Sequence, residues 1–450
     1  MTQVRTTVTA ALALAVLLAS CTGGRITDPS HVDNNAPGDP ADEKERPKTL
    51  QADYGLHTED KIVYMGALND ETGPGAAIGK PYANGKRILA AWINSGKSDL
   101  LPKGWKLELV ERDHEGDPKR AILAYKETKD KVLFFGTGFG DSATLALLKM
   151  LKDDDVILYP ASMHSDTATN EYTPPPGPSY RVEAMRAMNW VAKERSEAAT
   201  PKAGIIYTEG RYGKDGLEGW REAARATGVA VVSEQKVGEQ TQDFSAAVGA
   251  LKKAGADHVL LTTLPGATGA ILTAGAQQDY RPIWMGNTLS WNDTLFDSSS
   301  VPAAALGNFR WVTGFPYWGE EVPGMDRFLA AYEAHGRELG PANCYTLFSF
   351  VQGMLAVEAT RIALERNDAT RSGYRQALSK VSHFDAGGMM PPMDFSEVPF
   401  RAGNQTRVLK PDLANRTWSV VGGFEAPIGL PAPAEGEAAP EEGEAAPAEG

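Results

Sequence analysis

Residues 132–159 read VLFFGTGFGDSATLALLKMLKDDDVILY, with a short apolar run at each end of a glycine-rich turn and an amphipathic stretch. The runs Val132–Phe135 and Val156–Tyr159 have the length and apolar character of strands that are buried on both faces. Between them, Ala143–Leu151 has helical spacing. The segment therefore predicts one βαβ unit, in which a helix connects two parallel strands.

The same alternation extends in both directions along the chain. Because repeated strand–helix–strand units form a parallel sheet with helices on both faces, we expect an α/β fold. The body, residues 53–427, has about 375 residues, which is large for one such sheet, so we expect two doubly wound parallel-sheet lobes. The other predicted strands are Lys61–Leu68, Lys106–Glu111, Ala203–Tyr207, Val229–Val232, His258–Thr262 and Pro282–Met285. The other predicted helices are Lys80–Ile93, Lys119–Thr128, Ser179–Glu194, Gly216–Thr227, Phe244–Ala254 and Ala267–Gln278.

Residues 1–20 have the features of an export signal. A positive start at Arg5 precedes the apolar run Ala10–Leu18, which is too short to span a bilayer. The tetrapeptide Leu18-Ala19-Ser20-Cys21 resembles the cleavage site of bacterial lipoproteins. The resemblance implies that Cys21 receives a diacylglyceryl group and anchors the protein to a membrane, on the periplasmic side of a bacterial envelope. An ordinary signal cleaved near Ser20 is the alternative.

Composition separates both ends of the mature chain from the body. Residues 21–57 contain the cysteine and a stretch rich in Pro, Asp, Gly, Asn and Lys, which predicts a flexible linker. Residues 428–450 are a low-complexity acidic tail, with six glutamates among the last sixteen residues. After the signal, we expect no apolar run long enough to cross a membrane.

Charge and cysteine content exclude several classes of protein. The formal net charge is −13 at pH 7, which argues against nucleic-acid binding because that requires a basic surface. The chain has two cysteines, and lipidation of Cys21 leaves Cys344 without a partner for a disulfide. Cys344 begins an apolar helical stretch, so we expect a buried core thiol.

The loops that follow the strands are the candidate site, because ligands of open parallel sheets bind beyond the carboxyl ends of the strands. After the first strand, Thr72 can cap a helix and offer a hydroxyl, while Gly73 lets the backbone approach a ligand. After Val132–Phe135, a helix start with Ser142 and Thr144 suits a small polar or anionic group. The glycines of that loop match a dinucleotide-binding loop poorly.

We find no pattern of catalytic or metal-binding residues. Residues 162–166 contain Ser, His and Asp, but the chain has no Gly-x-Ser-x-Gly elbow. His114-Glu115 lacks a second histidine four residues after the first. We therefore expect a protein that is not an enzyme and that has no metal or cofactor.

Tyr212, which follows the strand Ala203–Tyr207, can close over a ligand and hydrogen-bond it.

Taken in order, these loops resemble the type I periplasmic solute-binding proteins, specifically the branched-chain amino acid (Leu/Ile/Val) receptors of ABC transporters. The resemblance covers residues 61–420. It implies two lobes joined by a three-strand hinge. We place lobe one at residues 58–177 plus 314–388 and lobe two at residues 178–313 plus 389–427. The resemblance is carried by Thr72-Gly73-Pro74, Gly79, Gly85, Asn94, Asp113, Asp117-Pro118, the Gly140–Thr144 loop, Pro160-Ala161-Ser162, Tyr172-Thr173, Tyr212–Gly216, Asp243-Phe244-Ser245 and Ala254–Asp257.

The resemblance also assigns roles to single residues. It implies that Ser142, Ala161 and Met163 hold a ligand carboxylate through hydroxyl and backbone N–H groups, and that Tyr212 supplies an aromatic wall from the other lobe. Tyr317 and Trp318, near the hinge, are further wall candidates or packing residues. The candidate ligand contacts are Thr72, Gly73, Ile78, Asp141, Ser142, Thr144, Ala161, Ser162, Met163, Tyr212, Thr263, Asn287 and Tyr317.

Three positions depart from the pattern of the amino acid receptors. The loop Gly286–Ser290 has no acid where those receptors carry a glutamate for the α-ammonium group. Ile78 replaces an aromatic residue, and Asp141 would repel a ligand carboxylate. These departures argue against an α-amino acid and leave a neutral amide, a hydroxylated or aromatic compound, or a cation as the open alternatives.

The function that the resemblance implies is capture of a small polar metabolite and its delivery to an ABC-transporter permease. The ligand would contact both lobes and so favour a closed form over an open one. Two alternatives use the same fold and act through a protein partner: a ligand-sensing receptor and an envelope-assembly factor.

Overall fold

The computed structural model describes residues 46–194, 200–238, 240–297, 301–398, 400 and 403–429. The predicted signal, Cys21, most of the predicted linker and nearly all of the acidic tail lie outside these residues. Within them the chain forms two α/β units, each with its own mainly parallel sheet, which confirms the predicted fold class.

The first sheet is built from the amino-terminal part of the chain. Its five strands are β2 (Leu56–His57), β3 (Ile62–Asn69), β4 (Lys106–Asp113), β5 (Phe134–Gly138) and β6 (Leu158–Pro160). The short strand β1 (Gln51–Ala52) precedes them and belongs to a separate pair of strands. The order across the sheet is β4–β3–β5–β6, all parallel, and β2 pairs antiparallel with the start of β3. β5 is buried along its whole length, as its apolar run predicts.

Helices connect these strands. They are α1 (Ala76–Asn94), α2 (Pro118–Thr128) and α3 (Asp141–Asp153), and the short α4 (Ser165–Ala168) follows β6. Asp117 caps α2, because its side chain accepts a hydrogen bond from the backbone N–H of Lys119 at 2.7 Å. Each predicted helix of this lobe is present, and the amino-terminal ends of α1 and α3 lie slightly earlier than the apolar pattern indicates.

The second sheet has seven strands in the order β14–β13–β11–β10–β9–β7–β8. They are β7 (Lys202–Thr208), β8 (Ala230–Val237), β9 (His258–Thr262), β10 (Ile283–Gly286), β11 (Phe309–Thr313), β13 (Thr406–Asp412) and β14 (Thr417–Glu425). The first five are parallel, whereas β13 and β14 are antiparallel. Helices of this lobe are α5 (Tyr180–Lys193), α6 (Arg211–Thr227), α7 (Ser245–Ala254), α8 (Pro265–Gln277) and α9 (Ala303–Leu306).

The chain passes between the two lobes three times within the described residues. It leaves the first sheet after β6, returns after β11, and enters the second sheet again at β13. The returning segment packs on the first lobe, where its residues Asp368 and Ala369 pair with β1. This segment contains α10 (Pro323–His335), α11 (Cys344–Glu365), β12 (Asp368–Ala369) and α12 (Arg371–Leu378).

Helix α11 is the central core helix of the first lobe and packs along α1. Gly85 and Gly353 make this contact close, since a Cβ atom at Gly85 would lie 2.7 Å from the Cβ of Ser349. Cys344 is buried at the start of the helix and is a free thiol.

Helix α11 also corrects the expectation that no segment after the signal could cross a membrane. It is long and apolar enough to do so, but 83% of its most apolar window is buried inside the fold. Most of its side chains pack in the protein core, which is why the helix is apolar around most of its surface.

Several elements were missing from the sequence-based assignment. Its last bounded strand ends at Met285 and its last bounded helix ends at Gln278. The structure adds β11, the β13–β14 hairpin, α10 and α12. The strand β14 is largely exposed and its apolar residues do not form a continuous run, so its sequence carries little strand signal. Pairing with β13 determines its conformation.

Candidate functional site

A cleft of about 630 Å³ lies where the carboxyl ends of strands from both sheets face each other. Its walls come from the loops after β3, β5 and β6 on one side and after β7, β8 and β9 on the other. Apolar and aromatic side chains dominate the lining: Ile78, Tyr82, Phe139, Met163, Tyr180, Tyr212, Val237, Leu264, Leu289, Phe315, Tyr345 and Phe348.

The turn after β3 is organised around Asp70, which is 3% exposed. Its carboxylate accepts hydrogen bonds from the backbone N–H groups of Gly73 at 2.9 Å and Gly75 at 2.8 Å. Gly79 lies directly against the Asp70 carbonyl oxygen, where a Cβ atom would collide. The glycines in this turn therefore let the backbone wrap around a buried carboxylate.

Thr72 and Gly73 do not reach the lining of the cleft. The Thr72 side chain is exposed, and its hydroxyl donates to Asp113 Oδ2 at 2.6 Å instead of capping α1. Although burial opposes it, the hydrogen bonds from Thr72 and from backbone N–H groups keep the pKa of Asp113 below its ordinary value. Both residues support the turn, and their predicted ligand contacts have no counterpart among the lining residues.

His114 lines the cleft and was missed as a site residue. Its Nδ1 accepts from the backbone N–H of Gly116 at 3.1 Å, so the ring proton belongs on Nε2 in the neutral form. That Nε2 is buried and has no hydrogen-bond partner. Burial lowers the pKa of His114, so the ring is a neutral donor at the cleft. The only sequence signal was its position at the end of a strand.

The loop after β5 leads directly into α3. Gly140, with φ of 84°, makes the turn, and Asp141 is the first helical residue. Asp141 and Ser142 line the cleft, with Ser142 exposed. Thr144 is buried, and its hydroxyl donates to the Gly138 carbonyl at 3.2 Å, so its predicted ligand contact is replaced by a contact within the loop.

Asp141 stands out electrostatically among the lining residues. Its Oδ1 is buried without a hydrogen-bond partner. Burial raises the pKa of Asp141 to about 6; Asp215 and Asp166 act in the same direction, and His164 and Arg211 oppose them. At neutral pH this side chain therefore presents a poorly solvated negative charge to the cleft.

The loop after β6 brings Ala161, Ser162 and Met163 to the cleft, as predicted for their position. The backbone N–H groups that were expected to hold a carboxylate are already used. Ala161 N–H donates to the Gly138 carbonyl at 2.9 Å, and Met163 N–H donates to the Tyr180 hydroxyl at 3.2 Å. These two backbone N–H groups are therefore not available to a ligand carboxylate.

Tyr212 projects from the start of α6 in the second lobe and is held from two sides. Its ring meets Tyr180 edge to face, with 4.8 Å between centroids. Its hydroxyl donates to Asn287 Oδ1 and lies 3.4 Å from the Thr263 carbonyl oxygen. Asn287 and Thr263 are fully buried behind Tyr212, so they position the aromatic wall and do not line the cleft.

Tyr82 lines the cleft from the first lobe and was not predicted. Its ring packs edge to face on Phe139 at 6.1 Å, and its hydroxyl donates to Gln352 Oε1 at 2.9 Å. Gln352 in turn donates to the Pro160 carbonyl at 2.7 Å, which ties α1, α11 and β6 together. Tyr82 falls inside a predicted helix, and its site role depends on tertiary packing that spacing does not reveal.

Tyr317 and Trp318 lie near the passage from β11 to α10, outside the cleft lining. The Arg407 guanidinium stacks on the Tyr317 ring at 5.0 Å and forms a buried ion pair with Glu320. Trp318 packs on Phe328. Of the two roles left open for this pair, packing is the one that the structure displays.

Charged and hydroxyl side chains also make contacts from the first lobe to the second at the edge of the cleft. Ser165 donates through its hydroxyl to Asp215 Oδ1 at 2.6 Å, and Asp166 pairs with Arg211. Among the described residues, no group of His, Cys, Asp and Glu side chains has an arrangement that could hold a metal ion.

Comparisons with known proteins point to one family. Leu/Ile/Val-binding protein homolog 7 of Brucella abortus is 24% identical over 337 residues, which cover 71% of this chain and 81% of that protein. A fatty acid ABC transporter substrate-binding protein from Thermomonospora curvata has a similar structure, with a TM-score of 0.73 and 23% identity over 84% of this chain and 95% of that one.

A branched-chain amino acid ABC transporter protein from Thermus thermophilus with bound valine is also similar in structure. Its TM-score is 0.72 at 22% identity, and the match covers 83% of this chain and 98% of that one. The family model described as periplasmic binding protein matches residues 62–412. The chain therefore belongs to the periplasmic binding protein family, whose members are extracytoplasmic solute-binding proteins of transport systems rather than enzymes.

Proposed function

We propose that this protein is a lipid-anchored solute receptor that captures a small organic molecule between its lobes and delivers it to an ABC-transporter permease. The observation that carries the proposal is the cleft, which is lined by loops at the carboxyl ends of strands in both sheets. The named relatives, which belong to ABC transport systems, support the delivery step.

The proposed lobes are residues 58–177 plus 314–388 and residues 178–313 plus 389–427. Cys21 would be the lipidated first residue of the mature chain, with residues 21–57 as a linker to the membrane. Because a ligand in the cleft touches both lobes, its binding energy favours their approach. The Ser165–Asp215 hydrogen bond and the Asp166–Arg211 ion pair are contacts that such closure would preserve.

The proposed ligand has a substantial apolar part. The lining is mainly apolar and includes aromatic rings from both lobes, and about 630 Å³ lies in the range of clefts that bind organic ligands. The loop Gly286–Ser290, where amino acid receptors are expected to carry a glutamate, contributes no carboxylate to the lining. The nearest acid to that loop, Glu183, is fully buried and bonded to Thr288, so it does not substitute for the missing group.

The test of this function is the recovery of a ligand. Native mass spectrometry and small-molecule extraction of the mature protein, purified from cells, should reveal one metabolite in stoichiometric amount. That metabolite should raise the melting temperature of the emptied protein. If the protein carries no metabolite and no compound in a broad metabolite library stabilises it, the solute-receptor proposal is wrong, and a role through a protein partner becomes the better hypothesis.

Tyr212 provides the site-directed test. Tyr212→Ala removes one wall of the cleft and should weaken binding of the recovered metabolite about tenfold or more, measured by calorimetry. Tyr212→Phe keeps the ring against Tyr180 and loses the bond to Asn287, so it should cost about threefold or less. Equal affinities for both variants and the parent protein would place the binding site elsewhere.

A further inference from the structure

The charged groups of the cleft lining indicate what sign of charge a ligand can carry. The lining contains three carboxylates, Asp70, Asp141 and Glu209, and one guanidinium, that of Arg211. The Asp70 carboxylate accepts two backbone N–H groups, and Glu209 pairs with Lys236 at 3.2 Å. Arg211 is engaged by Asp166. The charges of Asp70, Glu209 and Arg211 therefore each have a compensating group within the protein.

Asp141 is the exception among these four charged residues of the described lining, because its Oδ1 is buried without a hydrogen-bond partner. The groups around it do not supply a dedicated counter-charge. Asp215 and Asp166 add negative charge, His164 is the neighbouring imidazole, and Arg211 is shared with Asp166. An unpartnered carboxylate in a partly desolvated place is costly unless a cation binds beside it.

A ligand carboxylate would find poor support in the same cleft. The backbone N–H groups of Ala161 and Met163 already donate to Gly138 and Tyr180. The start of α3 would attract an anion, but Asp141 occupies its first position and would repel one. The neutral imidazole of His114 does not offset a negative charge. The lining therefore disfavours acids, including the carboxylate end of an amino acid.

Four aromatic side chains of the lining form two edge-to-face pairs. Tyr82 meets Phe139 edge to face in the first lobe, and Tyr180 meets Tyr212 edge to face in the second. Such rings pack on flat apolar groups and also attract organic cations to their faces. The cleft volume accommodates a ring or a branched alkyl body together with its polar head.

We propose that the ligand is an organic monocation, a protonated amine without a carboxylate, whose head lies beside Asp141 and whose ring or branched alkyl body lies among these aromatic side chains. This inference rests on the proposed function and specifies the substrate class of the same cleft. It is a statement about charge, so it can fail while solute capture itself stands.

The first experiment uses matched triplets that differ only in their charged groups. One triplet is 2-phenylethylamine, phenylalanine and 3-phenylpropionate, and another is 3-methylbutylamine, leucine and 4-methylpentanoate. Affinities for the mature protein, freed of bound metabolite, are measured by calorimetry near neutral pH. In at least one triplet the amine should bind about tenfold or more tightly than both the amino acid and the acid. Tighter binding of an amino acid or an acid, or no binding by any amine, overturns the proposal.

The second experiment tests Asp141 itself. Asp141→Asn should weaken amine binding about tenfold or more, whereas Asp326→Asn, at an exposed first-turn aspartate of α10 outside the cleft, should leave it unchanged. With a pKa of about 6 for Asp141, amine affinity should fall about tenfold from near-neutral pH to about pH 5, because the carboxylate is protonated. His164, Asp166, Arg211 and Asp215 surround the same group, so this pH dependence must disappear in Asp141→Asn to be assigned to Asp141.

The outcomes separate the two proposals. If a metabolite is recovered but it is an acid or a neutral compound, and the amines fail, the solute-receptor function stands and the charge assignment is wrong. If no metabolite is recovered and no triplet member binds, both proposals fail. An amine affinity that rises as the pH falls also contradicts the role given to Asp141.

Discussion

Three carboxyl groups near the cleft have different environments, although sequence gives each of them the same chemistry. Asp70 is surrounded by backbone N–H groups of its own turn. Asp141 has a buried oxygen with no partner and a pKa raised by burial to about 6. Glu183 is fully buried inside the second lobe, where burial raises its pKa to about 8 although Thr288 donates to it. Packing, rather than residue type, separates their roles.

The raised pKa of Glu183 predicts a pH dependence of stability. In the unfolded chain a glutamate titrates near 4.3, so between about pH 4.5 and pH 8 the native state holds a proton that the unfolded state has lost. The free energy of unfolding should therefore fall as pH rises through this window. In the parent protein this decrease in the free energy of unfolding should be on the order of a few kcal/mol. Glu183→Gln stays neutral throughout the window and should therefore not show it.

Urea unfolding at about pH 5 and pH 8 measures this effect. The control is Glu218→Gln, at an exposed glutamate of α6, which should retain the pH dependence of the parent protein. An unchanged dependence in Glu183→Gln would mean that another group causes it.

At the scale of elements, the α1–α11 interface organises the first lobe and one wall of the cleft. Lys86 of α1 is fully buried and donates to the Ser349 carbonyl at 2.7 Å and to Gln352 Oε1 at 2.8 Å. Burial lowers the pKa of Lys86 well below its ordinary value. Because Gln352 also accepts from Tyr82, the packing of two helices determines the position of a cleft residue.

The close contact at Gly85 predicts how strongly an added methyl group would destabilise the α1–α11 interface. In Gly85→Ala the new methyl group would overlap the backbone of α11 near Thr346 and Ser349, so the helices would have to separate. We expect a loss of about 1–3 kcal/mol in the free energy of unfolding, despite the higher helix propensity of alanine.

The matched control is Gly249→Ala in α7, where the nearest atom to the added methyl, Gln278 Oε1, lies 3.4 Å away. Helix propensity should dominate there, and stability should rise by up to about 1 kcal/mol. Denaturant unfolding of both variants tests the comparison. A gain in stability in Gly85→Ala would show that the α1–α11 contact is looser than the structure indicates.

At the scale of the whole molecule, we expect membrane anchoring and ligand binding to be separate properties of the chain. The body supplies the cleft, and Cys21 is proposed to supply the membrane attachment. Cys21→Ser should therefore move the protein from the membrane fraction to the aqueous fraction, while ligand affinity of the body is unchanged. Fractionation with and without metabolic labelling by a fatty-acid analogue measures both the location and the acyl group.

The result that would contradict this prediction is retention of Cys21→Ser in the membrane fraction. An aqueous parent protein without any acyl label would instead support the ordinary signal that is cleaved near Ser20. In either case the binding measurements on the body are unaffected, because Cys21 lies outside the matched region, residues 62–412.

The sequence by itself determined the class of fold and where its site would lie. Apolar runs separated by helical stretches predicted the eight strands from β3 to β10. Six of them are mostly buried, and burial on both faces leaves a strong apolar pattern, whereas β4 and β8 are partly exposed. The order of the loops predicted the family. Of the candidate contacts, Ile78, Asp141, Ser142, Ala161, Ser162, Met163 and Tyr212 line the cleft.

Only the tertiary structure decided which polar groups remain available to a ligand. Thr144 and the backbone of Ala161 look like donors in the sequence, but the fold uses them internally. The Tyr82 hydroxyl donates to Gln352 and the backbone N–H of His114 donates to Asn69, so partners remote in sequence hold both residues at the cleft. Local patterns report burial and periodicity, whereas the satisfaction of each hydrogen bond depends on partners that are remote in sequence, and this is what leaves Asp141 unpaired in the cleft.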